Sequence, residues 1–176
     1  MQDIMEQLYL QDAMKNIQDD KIRFISIEHT VLTDAPFIGA RICAIKCSNN
    51  CPKCFNQDLN GSTYRVSTTK EIIKEVQAHK LNQGIILGGL EWSEQPEEML
   101  SLIVYGLFVG LKIIIYTHHN IDTFLKKFPY LRGHDILVKC GEYKKDLPQY
   151  YDKNYDVVLA YKNQKIYPLN EYLFMQ

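Results

Sequence analysis

The sequence lacks a surplus of either charge: 20 basic and 21 acidic side chains give its 176 residues a formal net charge of -1. That balance argues against a broad electrostatic footprint for nucleic acid, and no nucleic-acid partner is expected. It also lacks a long unbroken apolar run. The nearest approach, "LIVYGLFVGLKIIIY" from Leu102 to Tyr116, is interrupted by Lys112. It falls short of the roughly 18 to 20 residues a span needs, so a buried helix followed by a buried strand is expected and no membrane association. The opening residues, "MQDIMEQLYLQDAMKNIQDDK", carry Asp3 and Glu6 where a secretory signal needs a basic region and a continuous apolar one. No export signal is read there, and a cytoplasmic location is expected. In that compartment thiols stay reduced, which removes structural disulfides from consideration. Repeats, low-complexity tracts and linkers are absent too. A single domain over 1–176 is expected, with 1–20 as an N-terminal helical extension on the thin stripe Ile4, Leu8, Met14 and Ile17.

What is present reads as alternating strands and helices. With 46% apolar and 23% charged residues the chain can bury a core of its own. "IRFISIEH" from Ile22 and "ARICAIK" from Ala40 have the character of strands, joined by a loop containing "TDAPFIG". Thr68 and Glu71 form a capping box ahead of Ile72, Ile73 and Val76 at helical spacing. "GIILGG" from Gly84 is a short strand. The segment 96–109 opens with a proline and two glutamates and is apolar nearly all round, as a buried helix is. "KIIIYT" is the next strand, Asp122 can cap a helix bearing Phe124, Leu125 and Phe128, and "DILVKC" is another strand. These spacings imply βαβ units and a parallel sheet. Beyond Gly141 the chain is tyrosine-rich and irregular until "DVVLA" and "KIY" offer two last short strands.

Cysteine is scarce but concentrated: of five, four fall within "CAIKCSNNCPKC". Cys47, Cys51 and Cys54 are spaced Cys-x3-Cys-x2-Cys in a loop just after a strand. The carboxyl ends of parallel strands are where α/β folds build their sites. Soft thiolates select iron-sulfur clusters, zinc or copper(I). Structural zinc and electron-transfer clusters normally have every position filled by protein, whereas three ligands leave one open for a reactant. Cys43 and Cys140 read as small buried apolar residues. In a minority reading Cys43 is a fourth ligand that closes the site.

Cys-x3-Cys-x2-Cys after a strand resembles the cluster motif of the radical S-adenosylmethionine superfamily. Within it, "GARICAIKCSNNCPKCFN", "ILGGLEW", "LVKCGEYKKDL" and "NQKIY" most resemble the activating enzymes of anaerobic, class III ribonucleotide reductases. The resemblance covers most of the chain from Ile22 onward. It implies a 4Fe-4S cluster on Cys47, Cys51 and Cys54, with S-adenosylmethionine chelating the open iron. It implies reductive cleavage of that cofactor and hydrogen abstraction from a glycine Cα of an anaerobic ribonucleotide reductase. Flavodoxin or ferredoxin would be the electron donor. A full eightfold barrel needs about 250 residues, so the fold expected is α/β, a partial (open) β/α barrel of radical SAM type.

For cofactor contacts, Gly88 and Gly89 offer backbone carbonyls to the methionine ammonium, and Glu91 a carboxylate. Thr117, His118 or Asn120 at the end of "YTHHN" lie where ribose or carboxylate would be, and Phe55 beside cluster or adenine. The sequence departs from the family pattern at Lys46, where glycine is usual, and at Lys53, where a small or aromatic residue is usual. Leu90 also separates the glycine pair from its acidic residue. Two other classes stay open. One is a small radical enzyme of the 7-carboxy-7-deazaguanine synthase kind, with a sealed pocket and magnesium. The other is a non-catalytic zinc protein.

Overall fold

A computed structural model describes residues 14–52, 54–144 and 146–173. Most of the expected N-terminal extension, residues 1–13, lies outside the described residues; residues 14–18 are helical (α1). A six-stranded mixed sheet organises the rest, with strand order β10-β7-β6-β5-β3-β2. Its centre is four parallel strands: β3 (Gly39–Cys43), β5 (Gly84–Gly88), β6 (Lys112–Thr117) and β7 (Ile136–Cys140). Helices α2 (Thr69–Ala78), α3 (Pro96–Phe108) and α4 (Ile121–Lys127) make the three crossovers between them. β2 (Ile27–Val31) and β10 (Lys165–Pro168) run antiparallel at the two edges and do not pair with each other, so the sheet is open.

The continuous apolar strands follow from burial on both faces. Ile85, Leu87, Ile113, Ile115 and Val138 face the helices, meeting Ile72, Val76, Leu102, Ile103 and Phe124. Ile86, Ile114 and Ile166 point the other way, into a smaller cluster with Val31, Phe37, Val157 and Leu159. The helices therefore close one face, and the loop after β2 with the carboxyl-terminal tail covers part of the other. Among the described residues no helix is long and apolar enough to cross a membrane.

Several elements differ from the sequence expectation. "IRFISIEH" is two strands rather than one. β1 (Lys21–Phe24) pairs with β4 (Arg65–Thr68) in a separate ribbon, and only β2 enters the main sheet. The tail forms a hairpin of β8 (Tyr150–Asp152) with β9 (Val157–Leu159). α4 is capped by Asn120, whose side chain accepts from the Thr123 N–H, while Asp122 sits in the first turn. The capping box of α2 forms as read: Thr68 accepts from the Glu71 N–H and Glu71 returns the bond to Thr68.

Candidate functional site

At the carboxyl ends of the parallel strands, four connections converge on a solvent-open cavity of about 160 Å3. Cys47, Cys51 and Cys54 line it from the loop after β3, and Gly89 and Glu91 from the turn after β5. Thr117 and His118 enter from β6, Lys139 and Gly141 from β7, and Tyr143 and Gln164 from the tail. The structure thus brings seven of the ten candidate residues to one place. Gly88, Phe55 and Asn120 stand outside the lining. Gly88 ends β5 opposite Cys43, while Phe55 is 77% exposed with its ring edge-on to Tyr143 at 5.6 Å.

The cysteine loop is fastened by the protein itself. The Asn60 side chain clamps the Cys47 main chain at both ends, accepting from its N–H at 3.1 Å and donating to its carbonyl at 2.8 Å. Glu94 accepts from the Ser48 N–H and hydroxyl, both at 2.8 Å. Asn56 donates to the Gly89 carbonyl at 2.7 Å, and the Glu91 N–H to the Lys46 carbonyl at 3.1 Å. These bonds tie the loop to the turn after β5. That turn needs glycine at 89: φ is +80°, and a Cβ there would lie 2.3 Å from Cys43 Sγ.

All three cysteines are free and partly exposed. Among the described residues, no three His, Cys, Asp or Glu side chains are gathered closely enough to hold a single metal ion. A 4Fe-4S cluster binds each thiolate to a different iron, so it asks only that they surround one space, and these three line one cavity. Burial raises the Cys47 thiol, with Glu91, Glu94 and Cys51 adding to the rise. Cys43 and Cys140 are buried away from the cavity lining, and burial pushes Cys140 up to about 12.

Charge at the cavity floor is arranged around Glu91, which is 3% exposed. Burial alone would raise its carboxyl. Hydrogen bonds from His118 and Ser93 overcome that and hold it at about 2. The bond to Glu91 raises His118 above the ordinary imidazole value, against the effect of burial. Lys139 lies over the Tyr116 ring at 4.7 Å, and burial lowers it to about 8.

Sequence reasoning missed Asn56, Asn60, Lys139, Tyr143 and Gln164. Lys139 left a signal: it is the one charge in β7, "ILVKC", with buried Val138 and Cys140 on either side. The asparagines left none, since a polar turn residue does not announce its partner. Asn120, weighed as a contact, is occupied in capping α4.

Residues 38–166, more than two thirds of the chain, match the family model of the 4Fe-4S single cluster domain. The chain belongs to that family. No curated protein matches it significantly. The 4Fe-4S single cluster domain begins one residue before β3 and ends within β10, so every cavity residue from Cys47 to Gln164 falls inside it. The cofactor that the resemblance implies, a 4Fe-4S cluster, is the one the family is described by.

Proposed function

We propose that this iron-sulfur protein is a radical S-adenosylmethionine enzyme, the activase of an anaerobic ribonucleotide reductase, built on a partial β/α barrel. One observation carries the reading: among the described residues, three cysteines and no fourth line the cavity, while polar groups from three further strand ends face them. Cys47, Cys51 and Cys54 would hold the cluster, leaving one iron for the cofactor. In that position a 4Fe-4S cluster would supply the one-electron reduction of a sulfonium cofactor, the chemistry that hydrogen abstraction from a glycine Cα of the reductase would require.

The chain's own residues bind and orient. The Gly89 carbonyl accepts one hydrogen bond, from Asn56, and its second lone pair is open to the methionine ammonium. Gly88, outside the lining, has its carbonyl accepting from the Ala44 N–H at 3.3 Å and would support the turn rather than meet the ligand. Glu91 and Thr117 form the floor beneath, and Phe55 stands at the rim with Tyr143 for an adenine or a substrate loop. The open mouth suits a protein substrate presenting a loop. A flavodoxin or ferredoxin is the fitting electron donor.

Anaerobic reconstitution with iron and sulfide, then S-adenosylmethionine and a strong reductant, tests the proposal. Release of 5′-deoxyadenosine is expected, together with its loss in Cys47→Ala, Cys51→Ala and Cys54→Ala and its persistence in Cys140→Ala. A glycyl radical signal seen only with the reductase present identifies the activase. Release of 5′-deoxyadenosine without that signal points to a small-molecule substrate.

A further inference from the structure

The Glu91 carboxylate is buried and bonded through both oxygens. Its Oε2 accepts from His118 Nδ1 at 2.7 Å, from the His118 main-chain N–H at 3.0 Å and from the Thr117 hydroxyl at 3.3 Å. Oε1 accepts from the Ser93 N–H at 3.1 Å. Oε2 is thus fully used and one lone pair is left on Oε1, on a residue only 3% exposed, so little of this carboxylate is offered to a ligand ammonium. Thr117 is committed as well, donating to Glu91 and accepting from the His119 N–H at 3.2 Å. Of the side-chain polar atoms on Glu91, Thr117 and His118, only His118 Nε2 has no protein partner among the described residues, and His118 lines the cavity.

We infer that Glu91 is a positioning residue and His118 the ligand contact: the carboxylate fixes Nδ1–H and leaves Nε2–H to receive an anionic oxygen of the bound ligand. Resting on the S-adenosylmethionine reading, the inference makes that oxygen the methionine carboxylate, with the ammonium left to the Gly89 carbonyl. Burying a carboxylate calls for a counter-charge, and an imidazolium beside it supplies one while donating from both nitrogens. The groups facing the ring are consistent with this. Glu91 and Glu94 favour its protonation, and Lys127 of α4 opposes it. His119 lies alongside at 4.0 Å and is itself lowered, by burial and by His118. Leu90, the residue inserted between the glycine pair and the acid, is what places Glu91 one position further on, where its carboxylate turns back to β6.

Two measurements on the full chain test this. In the first, equilibrium dialysis compares S-adenosylmethionine with its decarboxylated analogue on the cluster-loaded protein. Wild type should prefer the carboxylated form by about tenfold or more, the value of a hydrogen bond between charged groups. His118→Ala should lose about tenfold of that preference, keeping only what chelation of the carboxylate by the open iron contributes, and Glu91→Gln should lose part of it. An unchanged preference in His118→Ala overturns the inference and leaves the cofactor reading standing, whereas failure of wild type to bind either compound overturns both. In the second, nitrogen-15 NMR of the His118 ring before cluster loading should show both ring nitrogens protonated at neutral pH, and one of them bare in Glu91→Gln. A neutral ring in wild type with Nε2 bare overturns the inference without any variant having to fold.

Discussion

Gly89 meets two demands at once, and they can be separated. Its φ of +80° disfavours any side chain, and the missing Cβ makes room for Cys43 Sγ. Gly89→Ala should therefore destabilise the protein by about 2–4 kcal/mol, combining left-handed strain with overpacking. In a Cys43→Ala background the same change should cost less, about 1–2 kcal/mol, because the sulfur is gone; urea denaturation of the four proteins measures the coupling. Glu91 and His118 give a second expectation. The folded Glu91 carboxyl is depressed to about 2 from 4.5, so its contribution is present above pH 4.5 and lost as pH falls toward 2. His118 is raised from 6.5, so its contribution is present below pH 6.5 and lost as pH rises through its folded value. The two shifts describe one pair. The stability advantage of wild type over Glu91→Gln should therefore be greatest between pH 4.5 and 6.5 and narrow on both sides, as denaturation midpoints across pH would register. At this scale the sequence made the cysteines legible, because their spacing is itself the signal. It did not make Glu91's occupation legible, since that depends on a histidine 27 positions away.

Among the elements, β5 shows how tightly the sheet is drawn together. A Cβ at Gly84 would sit 2.2 Å from the Lys112 carbonyl oxygen and 2.7 Å from a ring carbon of Phe37. The first of these is backbone of the adjacent strand, which cannot step aside without breaking the β5–β6 ladder. Gly84→Ala should cost several kcal/mol and leave the chain largely unfolded or insoluble, whereas Gly61→Ala, with nothing within 4 Å of the added carbon, should cost only the strain of its φ of +86°. Circular dichroism and solubility distinguish the two. The central strands were legible because burial on both faces writes itself as an unbroken apolar run, as in "GIILGG" and "KIIIYT". The break in "IRFISIEH" was not. Ile25 and Ser26 carry no turn signal, and the partner that draws β1 away, β4, lies about 40 residues on and is mostly polar. β8, "YYD", was hidden for a related reason: its strand pairing is with the short β9 alone, and two of its three residues are exposed.

For the molecule as a whole, the cores and the cavity are nearly separate. The large cluster under the helices and the small one under the tail are assembled from strands and helices, and of the three cavity cysteines only Cys47 packs against either. The cysteine loop has fastenings of its own: Asn56 and Glu94 bond it to the segment after β5, and Asn60 clamps it upon itself. Such an arrangement implies that folding precedes cluster loading and does not depend on it, unlike small domains whose metal supplies their folding energy. Cys51→Ala and Cys54→Ala should accordingly lose iron on anaerobic reconstitution yet keep the thermal midpoint of the cluster-free wild type to within about 2 °C, as surface substitutions do. Cys47→Ala should lose iron and also melt lower, because its side chain leaves the edge of the larger core. Iron content and thermal unfolding measured on the same preparations decide it. A cluster-free wild type that is itself unfolded would mean that the cluster, rather than the asparagine clamp, holds the loop in place.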